Sequence, residues 1–399
     1  IAGLTSTAIA GLTTVNIAGL ESIDLAAVST ASIQGLSALA IGQLTGPQLQ
    51  GLGGSLVSLL SASQIQGLSA NQIALLSSTQ IDSLTATNIR GLGSEQVAAF
   101  TSANLAGLHS NNLSGIATEA IAGFEPDDLA LLGASQAKGF TTSQLAVLTT
   151  EQVRALSESA ISGMNSKQIG ALSTAAIASL STAQIASLQP AAWAVVYLPG
   201  TSLGLSTASI ALLSSSQVSA ISDISFLEFS SEQIAAFSPD SIAGLNARQL
   251  TAINTSNVAG LSSSAISLIS STAIAGFESE DIAQLNAQQV IGFTTLQLSA
   301  LRSNQLSALT SLNIVRLDST QIAAFTSANV KGIQPESLSA IGTAALQGLE
   351  TSDIRYLTPL QVGAFTPAQL RSLASQQIFA LTSENASVLS AALVTETPF

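Results

Sequence analysis

A large apolar residue returns at every eighth position from Leu4 through Leu188 without a single slip, and the same period runs again from Leu205 through Leu389. Five residues after each of these stands a second apolar side chain, as at Ile9, Ile17, Leu25, Ile33 and Ile41. A fixed short period through nearly the whole chain constrains the fold more than any motif could. No eight-residue unit can enclose a core, so each must bury its apolar side chains against neighbouring units, and the product is a solenoid.

Counting places 1 to 8 from the residue after each recurrent Leu puts the apolar side chains at 5 and 8, as in Ser173-Thr-Ala-Ala-Ile177-Ala-Ser-Leu180. A separation of three lies on one face of a helix and on opposite faces of a strand. Place 1 is Ser, Thr, Asn or Asp in most octads, the residues that accept from the free N–H groups at a helix start. Place 4 is often Gln, as at Gln64, Gln72, Gln80, Gln144, Gln152 and Gln184, which completes a capping box. Six of the nine prolines (Pro126, Pro190, Pro239, Pro335, Pro359 and Pro367) stand at place 2, the first helical position, where a missing N–H costs nothing. The Leu before the cap and the Ile at place 5 are then the partners of a hydrophobic staple.

These signals predict an all-α solenoid of short capped helices, one per octad. A continuous helix would turn its apolar stripe by roughly 80° per octad and smear it around the rod. A β-solenoid is the alternative, because Thr and Ile form strands well; prolines at place 2 and the 3-then-5 spacing count against it. Place 7 is commonly Gly, Ala or Ser (Gly3, Gly11, Gly19, Ala155, Ser179, Gly276), small enough to let neighbouring helices approach closely. Phe at place 8 recurs forty residues apart in three pairs (100/140, 237/277, 325/365), a spacing that would suit a coil of five octads.

The organisation follows from the register. Residues 1–188 form a first array and 205–389 a second. Between them residues 189–204 are a seam with a one-residue insertion, which reads as a kink. Residues 390–399 abandon the pattern as an irregular tail. Ile1 opens inside an octad, as if the array began earlier. The seam carries the one Trp and one of the two Tyr, so Trp193 and Tyr197 are the candidate interaction residues. Trp193 falls on place 5, where it would equally serve as an enlarged core residue.

The remaining composition restricts the chemistry. With no Cys, thiol nucleophiles, disulfides and cysteine metal sites are excluded. The one His, His109, stands at the cap position and has no triad pattern around it. Acidic pairs such as Asp127-Asp128 and Glu280-Asp281 fall at places 3 and 4, where negative charge suits a helix start. A net charge of -13, with ten Lys and Arg against 23 Asp and Glu, opposes nucleic-acid binding. Mean hydropathy is +0.49, yet Ser or Thr interrupts almost every octad, so no run approaches the ~18 apolar residues of a membrane span. The expectation is a non-enzyme with no cofactor and no metal.

Leu357-Thr-Pro-Leu-Gln-Val-Gly-Ala-Phe365 and Phe365-Thr-Pro-Ala-Gln-Leu-Arg-Ser-Leu373 resemble the opening helix of a TAL-effector repeat, without that family's second helix, base-reading loop or basic charge. The whole chain is similar to the long Ala/Ser/Thr-rich octad tracts of very large secreted or surface proteins of proteobacteria. That resemblance implies an extracellular or cell-surface structural role, as a self-assembling filament, sheath, surface layer or adhesin stalk. The alternative is a solenoid module that binds a peptide, surface glycan or cation.

Overall fold

In the computed structural model, which describes residues 3–194 and 205–395, every regular element among the described residues is a short helix. The octad at 69–76 shows why. The Ser69 hydroxyl accepts from the Gln72 N–H at 3.3 Å, and the Ser69 N–H donates to Gln72 Oε1 at 2.8 Å, closing the capping box that opens helix Ala70–Leu75. The helix stops because Leu76 (φ −67°, ψ 137°) and the next cap Ser77 (φ −72°, ψ 160°) are extended, and Ser77 starts the following helix Ser78–Asp82 in a new direction. Four to six helical residues and a short extended joint thus make one octad. The prolines at place 2 open their helices as the sequence predicts, as at Pro239–Ile242 and Pro367–Ser372. No strand forms among the described residues, so the β-solenoid alternative falls.

Contacts group the chain into two units, Ile1–Val196 and Tyr197–Phe399. Within each, a helix packs on the helix three octads away: Ser22–Ala26 on Gly46–Gly51, and Asp223–Glu228 on Ala247–Ala252. Phe100 stacks on Phe124 at 6.1 Å between ring centroids, again three octads apart. The chain returns alongside itself every 25–31 residues, about three and a half octads. The forty-residue Phe spacing is therefore not the turn of the coil.

Each apolar place faces a different neighbour. The place-5 side chains are buried from Ile9 through Trp193 and from Ile210 through Val362, whereas Ile378, in the last turn of the described residues, is 48% exposed. At the other end Leu4, in the first turn of the described residues, is 39% exposed at place 8. Place 5 is covered by the turn that follows and place 8 by the turn that precedes, so every octad needs both neighbours.

Glycine at place 7 sets the closest approach. A Cβ added to Gly107 would collide with the Ser78 backbone carbonyl, and one on Gly276 with that of Ala247, in each case 29 residues earlier. No glycine among the described residues has the positive φ that usually selects it; space is the reason. The seven 3₁₀ segments among the described residues, including Ile89–Gly91, Val258–Gly260 and Val330–Gly332, all carry this glycine and have Asn, Ser or Ala at place 4, never Gln.

One local expectation needs correction. The last helix, Ser383–Thr395, runs straight through residues 390–395 that the pattern assigns to an irregular tail. Ala386 at place 5 is too small to staple against Leu381, and Ala- and Leu-rich sequence continues the helix. The insertion within the seam and the end of the tail lie outside the described residues.

Candidate interaction surface

The side chains that the repeat fixes are occupied in holding the coil. Place 1 caps its own helix. Place 4 does more than complete a local box: while Gln72 Oε1 accepts from Ser69, its Nε2 donates to the Ile41 carbonyl at 3.0 Å and the Leu44 carbonyl at 2.8 Å. Those carbonyls lie 31 and 28 residues earlier, in the preceding turn. The same pair of bonds recurs at Gln48, Gln80, Gln144, Gln249, Gln297, Gln361 and Gln369. Asn257 and Asn329 make it with the shorter amide. The result is a buried amide ladder along each unit. Sequence reading found the box and missed the ladder, because the carbonyl partners lie four octads back and no local pattern names them.

Trp193 sits on place 5 of helix Pro190–Trp193 and is only 2% exposed, which fits the enlarged core residue rather than a surface anchor. Its indole Nε1 has no protein partner. Tyr197 lies outside the described residues. His109 opens helix Ser110–Leu113, and its Nε2 lies 3.0 Å from Asp82 Oδ1 across neighbouring turns, both side chains being more than half exposed. The carboxylate beside it is solvated.

The acidic pairs divide. Asp127 and Glu280 at place 3 are exposed, but Asp128 and Asp281 at place 4 are buried in the ladder, as is Asp353. Burial, reinforced by neighbouring Glu278 and Glu280, pushes the Asp281 carboxyl up to about 6. Burial raises Asp128 and Asp353 in the same direction. The helix-start attraction anticipated for these two places is thus outweighed at place 4 by desolvation.

The exposed face offers little convergent chemistry. Open grooves run between turns, and one is bordered by Glu95, Glu125 and Glu151, an acidic lining that repels phosphate. Among the described residues no group of three His, Cys, Asp or Glu side chains is placed to hold a metal ion. No helix among them is long and apolar enough to cross a membrane. Large apolar residues do reach solvent at place 3, with Leu39, Leu312 and Leu360 at 76%, 82% and 78% exposure.

The family model for the ALTTAQ repeat matches residues 121–158, 161–194 and 274–311. Read as residues, that name is Ala-Leu-Thr-Thr-Ala-Gln, places 7, 8, 1, 2, 3 and 4 of the octad, with the staple Leu, the cap Thr and the ladder Gln in register. The chain contains tandem repeats of this kind at those three places. No curated protein matches the sequence. Among solved structures, the leucine-rich repeat-containing protein LegL7 from Legionella pneumophila aligns at 15% identity over 60% of this chain and 79% of that one, with a TM-score of 0.17. That score is too low to bear on the fold.

Proposed function

We propose that this chain is a structural repeat protein, built to extend and to self-associate as a filament, sheath, surface layer or adhesin stalk at or outside the cell surface. The observation that supports this most is the amide ladder. The same turn-to-turn joint recurs from Gln48 to Asn385, and it consumes the polar side chains that a binding or catalytic site would have to use. A joint that recurs along each unit specifies length, not a pocket. Charged residues make up only 8% of the chain, so the repulsion that keeps molecules apart is weak, and exposed place-3 leucines give association some apolar area.

Light scattering and negative-stain microscopy across salt and protein concentration test the proposal. Ordered oligomers at micromolar concentration, favoured as salt screens the net charge of -13, are the expected result. A stable 40.1 kDa monomer under all these conditions would overturn it.

A further inference from the structure

Four octads depart from the amide ladder in one and the same way. Asp occupies place 4 only at Asp24, Asp128, Asp281 and Asp353, and Glu occupies place 1 only in those same octads, as Glu21, Glu125, Glu278 and Glu350. Where place 4 carries an amide, it donates to two carbonyl oxygens of the turn before, 28 and 31 residues earlier. The register sets Asp128 toward Phe100 and Val97, Asp281 toward Ile253 and Leu250, and Asp353 toward Phe325 and Ile322. These three aspartates are only 8%, 3% and 4% exposed. Asp24, in the first turn of the described residues, is half-exposed.

An ionised carboxylate has nothing to donate. Set among carbonyl oxygens, with a second carboxylate three residues away, it meets like charge and partial negative charge in a poorly hydrated place. A protonated carboxyl has one O–H to give. We propose that Asp128, Asp281 and Asp353 are proton-operated latches between turns: when neutral, each donates its O–H to a carbonyl of the preceding turn as the glutamine amide does, and when ionised it releases that joint.

The surrounding charges favour the neutral form. Asp128 is faced by Glu125 and Asp127 of its own octad, by Glu151 and Arg154 from the packed helix Thr150–Ala155, and by Glu95 from the octad that carries Val97 and Phe100; the packed helix Ser102–Leu105 brings none. Asp281 is faced by Glu278 and Glu280, by Arg302 before the packed helix Ser303–Leu306, and by Arg248 from the octad of Leu250; Val258–Gly260 brings none. Asp353 is faced by Glu350 and Arg355, by Asp318 from the octad of Ile322, and by Lys331, whose Nζ lies 5.0 Å from the Tyr356 ring centroid; Ser375–Phe379 brings none. The five cations and the facing carboxylates are all solvent-exposed and screened, so burial of the aspartates is the largest cause, with the carboxylates of their own octads adding to it. The sign of the linkage follows. A carboxyl raised on folding contributes stability that is full below its ordinary value near 3.8, and at Asp281 that contribution is lost as pH rises through about 6.

Thermal unfolding of the full chain, followed by circular dichroism at several pH values between about 4.5 and 7.5, tests this against the variant D128N/D281N/D353N. Asn has the shape of Asp and donates at every pH. The wild type is expected to gain several degrees in Tm on acidification, while the variant has a flatter profile and the higher Tm at neutral pH. Should the triple variant not fold, D281N alone, together with an NMR titration of the wild-type aspartate carboxyls, carries the test. Parallel Tm profiles, a variant less stable at neutral pH, or buried aspartates that titrate near 4 would overturn the proposal.

Discussion

Gln297 holds three bonds with one amide: it accepts from the Thr294 N–H at 2.8 Å and donates to the Ile266 and Ile269 carbonyls, each at 2.6 Å. Removing it takes the side-chain partner from the Thr294 N–H and the Ile269 carbonyl, while the Ile266 carbonyl keeps the Ile269 N–H, and a buried group left unpaired costs ~1–3 kcal/mol. Gln297→Ala is therefore expected to destabilise its unit by roughly 2–4 kcal/mol in denaturant unfolding, and Gln297→Asn by less, since Asn329 makes the same two bonds. Gly276→Ala tests spacing instead of bonding. Its new methyl group meets the Ala247 carbonyl, and overpacking of this kind costs about 1–3 kcal/mol. At this scale the sequence disclosed the local half of each role. Gln72 was legible as the partner of Ser69 because they stand three residues apart; its carbonyl partners were not, because turn length decides them. The smallness of Gly276 was legible, and Ala247 as its partner was not.

The octad is the element, and it is defined by register more than by helix length. Deleting Ser173–Leu180 returns every place 4 downstream to a place 5 and a place 8 of the turn before, so folding should survive with a modest loss of Tm. Deleting only Ser173–Ala176 sets the downstream Ile and Leu out of register and should abolish cooperative unfolding of the first unit. Equal damage from the two deletions would show that the octad is not the unit. Caps, prolines and staples made these helices readable, since each acts within eight residues. Helix Ser383–Thr395 was misread where a period of eight was carried past Ala386, a residue that no longer enforces it.

For the whole molecule, the period says that neighbours must pack but not how many octads make a turn. That number depends on the angle at each extended joint, such as Leu76-Ser77, and on how near the place-7 glycines let backbones come, which are three-dimensional quantities. The forty-residue Phe spacing pointed to five octads; contacts at 25–31 residues give about three and a half. Because the chain has no Cys, introduced thiols report on this without background. Ser279 Oγ and Asn304 Nδ2 lie 3.3 Å apart across neighbouring turns, 25 residues apart in sequence. In the variant S279C/N304C a short thiol cross-linker is expected to form an intramolecular bridge rapidly in the folded protein and not in denaturant, while S279C/S319C, forty residues apart, stays unbridged. Fast bridging of the second pair, or none in the first, would contradict the coil.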